Sequence, residues 1–91
     1  MSRRPWELVV APSVDRTLAR LPEKVAAAAV EFLTGPLVDD PRRVGHALRR
    51  ELEGLWAARR GPYRVVYEID EEAQQVRLLR IDHRADVHRP R

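Results

Sequence analysis

Leu55-Trp56-Ala57-Ala58-Arg59-Arg60-Gly61-Pro62-Tyr63-Arg64-Val65-Val66-Tyr67-Glu68-Ile69, followed by Val76-Arg77-Leu78-Leu79-Arg80-Ile81-Asp82-His83-Arg84, is the stretch that decides the fold. β-branched and aromatic residues run through both segments, and Gly61-Pro62 and Asp70-Glu71-Glu72-Ala73 interrupt them with turn chemistry. The pattern predicts three consecutive strands, at 55–60, 63–69 and 75–82, joined by two short turns and therefore antiparallel. Alternate side chains of a strand point to opposite faces. Tyr63, Val65, Tyr67 and Ile69 then share an apolar face, while Arg64, Val66 and Glu68 share the other. Arg64 is preceded by Arg59 and followed by Arg84, so the second face gathers guanidinium groups.

Upstream, Trp6-Glu7-Leu8-Val9-Val10 is β-rich and predicts a short first strand. Pro12-Ser13 opens a helix, with Ser13 as the expected N-cap. Val14, Leu18 and Leu21 repeat at helical spacing and define its buried side. Pro22 ends that helix and suits the first turn of the next, where Glu23 meets the helix dipole favourably. The second helix is expected to reach Thr34, burying Val25, Ala29, Phe32 and Leu33, before Gly35-Pro36 stops it. Residues 37–45 read as a connecting loop that also holds His46 at its end. The order is β-α-α-β-β-β: an α+β fold with an N-terminal strand, an antiparallel helical hairpin and a three-stranded antiparallel meander. The hairpin is the one cover available for the apolar face of the sheet. Trp56, Tyr63 and Tyr67 belong to that packed side rather than to an exposed stacking platform.

Ninety-one residues fit one domain, residues 1–91, which buries roughly 60–65 % of its extended surface by size scaling. There is no cysteine, so disulfides and thiolate metal sites are excluded. No apolar run approaches the roughly 20 residues that span a bilayer. Met1-Ser2-Arg3-Arg4-Pro5-Trp6 has charge without a following apolar region, unlike a signal peptide. A cytoplasmic setting is expected. The net charge is +3, yet sixteen of the seventeen basic residues are arginine, Lys24 being the exception. Twelve of those arginines lie from Arg42 onward. A GC-rich genome, which favours arginine codons, would explain part of this bias. The planar, permanently charged guanidinium also suits phosphate recognition, which makes nucleic acid the leading anionic partner. Glu31, Glu51, Glu53 and Glu68 lack paired-carboxylate spacing, and no His–carboxylate cluster is spaced for a metal.

Leu21-Pro22-Glu23-Lys24, Leu48-Arg49, Leu52-Glu53-Gly54-Leu55-Trp56, Arg60-Gly61-Pro62-Tyr63-Arg64-Val65-Val66-Tyr67 and Ile81-Asp82-His83-Arg84-Ala85-Asp86-Val87 together resemble the RelE/ParE superfamily of bacterial toxins. The likeness is greatest to the RelE-type mRNA interferases of type II toxin–antitoxin systems. That resemblance implies a ribosome-dependent endoribonuclease acting on mRNA in the ribosomal A site. Its reaction proceeds without metal or other cofactor, by attack of the ribose 2′-oxygen on the neighbouring phosphorus. Such a reaction needs a proton acceptor, a proton donor for the leaving 5′-oxygen, and cations for the developing phosphorane charge.

Carried over residue by residue, the resemblance makes Arg64 and Arg84 the phosphate-clamping, transition-state-stabilising groups. The alternative for Arg64 is a surface arginine that makes an ion pair with Glu68 on the same face. Arg59 matches the second of two basic residues on the preceding strand, whereas Ala57 stands where the first is expected. His88 stands where a tyrosine is common and is the expected proton-transfer or stacking group. Arg49, Arg60 and His83 are assigned to RNA binding. The resemblance further implies a RelB-like antitoxin as main partner, in a heterotetramer of two toxins and two antitoxins, whose acidic or helical segment covers the basic face. Two other readings stay open: a ParE-like gyrase inhibitor that is no nuclease, and a degenerate member that only binds its antitoxin, for which Ala57 and His88 argue.

Overall fold

The computed structural model describes residues 5–83, so Arg84 and His88 lie outside the described residues. A five-stranded sheet in the order β1-β5-β4-β3-β2 carries the architecture. The strands are β1 (Glu7–Val10), β2 (His46–Ala47), β3 (Trp56–Arg60), β4 (Tyr63–Asp70) and β5 (Gln75–His83). β3, β4 and β5 form the expected antiparallel meander. β1 adds to its outer side in parallel with β5, Leu8 facing Val76. A two-residue strand, β2, extends the opposite edge by pairing with β3.

The helices are α1 (Pro12–Arg20), α2 (Glu23–Thr34), α3 (Pro36–Asp39) and α4 (Pro41–Val44). α1 begins two residues earlier than its Ser13 cap would place it. Ala11 occupies the cap position with no side-chain hydrogen bond, and Pro12 takes the first turn. Proline has no N–H to leave unsatisfied there, so it starts the helix where serine was expected to. The carbonyl of Ser13 instead accepts the hydroxyl hydrogen of Thr17, 3.0 Å away. The stretch expected as loop is also more regular: α3 and α4 are single turns, each with a proline in its first turn. Leu37, Val38 and Pro41 are buried, which explains why this connection is ordered into turns rather than running over the surface.

One core lies between the sheet and the helices. Val14 and Leu18 from α1, Ala29, Phe32 and Leu33 from α2, and Leu37 from α3 meet Ala58, Tyr63, Val65, Tyr67, Val76, Leu78 and Ile81 from the sheet. The alternation expected of β4 holds: Tyr63, Val65 and Tyr67 are buried and Arg64 is exposed. Tyr67 is fully buried, and its hydroxyl donates to the carbonyl of Pro41 at 2.7 Å. That bond ties α4 to the middle strand. Gly45 follows α4 at a point where a Cβ would stand 2.2 Å from the Tyr67 hydroxyl and 2.6 Å from the Ala57 carbonyl. No larger residue fits there without moving the strand.

β5 breaks strict alternation. Val66 faces Arg80, but the next pair is Tyr67 with Leu78, so Leu79 is an extra residue, a β-bulge. A one-residue slip exchanges the faces of a strand. The bulge therefore lets Val76, Leu78 and Ile81 all pack inward, at 0 %, 0 % and 4 % exposure. Arg80 and Asp82 consequently project on the face away from the helices, beside Arg64.

Candidate functional site

The face of the sheet away from the helices is polarised. At one end Glu68 and Asp70 flank Arg77, which donates to both carboxylates, to Glu68 at 3.2 Å. Three hydrogen-bonding influences act on Asp70: the Ala73 backbone N–H, the Arg77 guanidinium and the Glu72 backbone N–H. Led by Ala73, they hold its carboxyl below the usual range, against the opposing effect of desolvation. This end is acidic and its one described arginine is engaged.

The other end is basic. Arg59 stands directly opposite Arg64 across β3 and β4, and Arg64 stands directly opposite Asp82 across β4 and β5. Arg59, Arg64 and Asp82 thus form a row across three strands, with Arg80 beside them. The Asp82 carboxylate is shared: one oxygen accepts from Arg64 Nη2 at 3.4 Å and the other from Arg80 Nε at 3.1 Å. Arg59 forms no ion pair among the described residues and is exposed. Three guanidiniums against one carboxylate leave a local excess of positive charge. Like charges directly opposite on a sheet destabilise it, so the facing Arg59 and Arg64 are a cost to the fold that an anionic ligand would relieve.

Not all the expected site residues meet here. Arg60 and His83 both pair with Tyr63 in the sheet register and so lie on the helix side. The Arg60 guanidinium stacks over the Phe32 ring, 4.5 Å from its centroid. It borders a cleft of about 450 Å³ lined by Ala28, Phe32, Pro36 and Tyr63. The Tyr63 hydroxyl donates to the Ala28 carbonyl at 3.4 Å, and burial pushes its pKa up. Arg49 precedes a 3-10 turn (Arg50–Leu52) at the start of β3, the far end of that strand from Arg59. The alternative pairing of Arg64 with Glu68 does not form: Glu68 engages Arg77 and Arg64 engages Asp82.

Two residues with no role expected from the sequence also lie on the face away from the helices. Arg80 joins the basic end because of the bulge, for which the adjacent Leu78-Leu79 pair was the available signal. His46, expected in a loop, lies in β2 directly opposite Ala57, on the same face as Arg59. The described residues contain no group of three or more His, Cys, Asp or Glu side chains arranged to hold a metal ion.

The chain as a whole matches a known family. The family model described as the ParE toxin of type II toxin–antitoxin systems, parDE, matches residues 8–88. The chain belongs to this toxin family. Among curated proteins, this toxin is 48 % identical over 85 residues to Toxin RelE of Mycobacterium tuberculosis, covering 93 % of this chain and 88 % of that one. It is also 48 % identical to Toxin RelG of the same organism, covering 93 % and 98 %. Its fold superimposes with a TM-score of 0.86 on a chain in the crystal structure of the RelBE2 toxin–antitoxin complex from Mycobacterium tuberculosis. That match has 47 % identity and covers 89 % of this chain and 100 % of the other. The toxin is therefore of the RelE type.

Proposed function

We propose that this toxin is an endoribonuclease that cleaves mRNA and so arrests translation. The observation that carries the reading is the row of Arg59 and Arg64, with Arg80 beside it, on the open sheet face of a chain nearly half identical to RelE toxins. In the reaction, the ribose 2′-oxygen attacks the adjacent phosphorus and loses its proton. The bond to the 5′-oxygen of the next nucleotide breaks, that oxygen takes up a proton, and a 2′,3′-cyclic phosphate remains. Guanidiniums contribute where negative charge builds on the phosphorane, because they are charged at every relevant pH and hold two oxygens at once. Arg64 is the central clamp, Arg59 its cross-strand partner, and Arg84 and His88 complete the set by resemblance. Arginine does not act as a base at its high pKa. A metal is not needed for this chemistry, and the ribosomal A site supplies the message in an accessible, single-stranded form.

The partner is a RelB-like antitoxin, in a complex of two toxins and two antitoxins. The locally positive sheet end favours an acidic antitoxin segment, which makes association fast and salt-sensitive. The toxin acts in the cytoplasm, and no helix among the described residues is long and apolar enough to cross a membrane.

The gyrase-inhibitor reading has one observation in its favour, the ParE description of the matching family model. Induction of the toxin without antitoxin separates the two. Primer extension on cellular mRNA is expected to show new 5′ ends in translated regions. Intact mRNA together with an SOS response would refute the nuclease reading and favour gyrase.

A further inference from the structure

Asp82 is the one carboxylate inside the basic end of the open face, where a phosphate-binding surface has electrostatic reason to exclude it. We propose that Asp82 is a positioning residue. Its carboxylate holds Arg64 and Arg80 as an ordered pair presented to RNA phosphate, at the expense of ground-state attraction for that phosphate.

The geometry supports both halves of the statement. The Asp82 side chain is 16 % exposed, against 47 % for Arg64 and 66 % for Arg80. The acid is thus the recessed anchor and the arginines are the reaching groups. Its position is fixed by the β4–β5 ladder, opposite Arg64, and the bulge at Leu79 turns Arg80 and Asp82 to the open face. Each carboxylate oxygen takes one N–H, at 3.4 Å from Arg64 and 3.1 Å from Arg80. A guanidinium has five N–H donors, so each arginine keeps the rest for a ligand.

Without the acid, Arg64 would face Arg59 on one side and a bare neighbour on the other. Repulsion and the rotamer freedom of long side chains would then spread the cluster. With it, the two guanidiniums are pre-arranged, which favours a rate-limiting geometry over tight binding. The carboxylate simultaneously cancels one unit of positive charge next to the ligand.

The proposal rests on the nuclease reading for its rate arm only. Its binding arm uses a short 2′-O-methyl RNA, which this chemistry does not cleave. Asp82→Asn removes the charge and leaves one acceptor oxygen for two donors, and Asp82→Ala removes both contacts. Both variants are expected to bind the RNA about 3- to 10-fold more tightly at low salt. Their log–log salt dependence is expected to steepen by about 0.7 for the added net charge on a single strand. In single-turnover cleavage of mRNA on programmed ribosomes, the same variants are expected to be slower by about 10-fold or more. Asp82→Glu is expected to recover part of the rate. Circular dichroism and melting report whether each variant is folded.

Tighter binding with slower cleavage supports the proposal. Binding and rate falling together marks a merely structural residue and overturns it, as does no change in either. If the parent binds RNA but cuts nothing, the nuclease reading fails on its own. The Arg80 Nε–H signal in 15N NMR then decides for Asp82. Loss of its order in Asp82→Ala, with the gain in affinity, upholds the positioning role, and an unchanged signal overturns it.

Discussion

Removing one oxygen atom from the core is expected to change both the stability of this toxin and the pH at which it unfolds. In Tyr67→Phe the ring is retained and the hydroxyl lost. Tyr67 is 0 % exposed, and its hydroxyl supplies the 2.7 Å hydrogen bond to the Pro41 carbonyl. The variant leaves that carbonyl buried with a missing donor, which costs on the order of 1–3 kcal/mol. About 2 kcal/mol corresponds to a fall in Tm of roughly 8–16 °C for a domain of this size. The pH dependence follows from the same group. Burial pushes the Tyr67 pKa up to about 12, from an ordinary value of 10.0. The unfolded chain therefore releases this proton first as pH rises. The stabilisation is complete below pH 10 and is lost as pH climbs through 12. Two pKa units correspond to about 2.7 kcal/mol, so the advantage of the parent over Tyr67→Phe disappears across that range. Urea unfolding at neutral pH and at intervals up to pH 12 tests this. A Tm within 2 °C of the parent in a thermal melt at about neutral pH, or a variant that loses stability to urea as steeply as the parent above pH 10, would refute the reasoning.

Arg59→Gln removes a like charge facing Arg64. Thermal melting is expected to show a gain of about 0.2–1 kcal/mol, while filter binding shows weaker RNA affinity. Arg60→Ala is expected to move stability in the opposite direction. Its guanidinium lies over Phe32 on the helix side, so stability falls by about 0.5–1 kcal/mol. RNA affinity then falls less than in Arg59→Gln. Equal losses of affinity in the two variants would show that both sheet faces meet RNA.

The parts of the structure legible in the sequence were those set by local periodicity. Tyr63, Val65 and Tyr67 alternate with Arg64 over an unbroken run, and Val14 with Leu18 in one helix and Ala29 with Phe32 in the next fall at helical spacing, so strand, helices and packed face all follow. Pairing of β1 with β5 joins residues nearly 70 positions apart, and no local signal announces it. Adjacent arginines at 59 and 60 must point to opposite faces of β3. Ala57-Ala58 before them gives no apolar contrast to say which is which, so the sequence does not assign Arg59 and Arg60 to their faces. The Leu78-Leu79 bulge moved Arg80 and Asp82 to the site, and a strict two-residue period hides such a shift. His46 looked like loop because a two-residue strand has too little length to alternate.

The direct test of the account is the contribution of Arg64 to cleavage. Parent and Arg64→Ala toxins are compared on ribosomes programmed with one defined mRNA, with enzyme in excess and with melting curves confirming both are folded. The row centred on Arg64 predicts a drop in the cleavage rate of about 100-fold or more, in the range found when one donor to a developing oxyanion is removed. An Arg64→Ala protein that cuts the message as fast as the parent would contradict it.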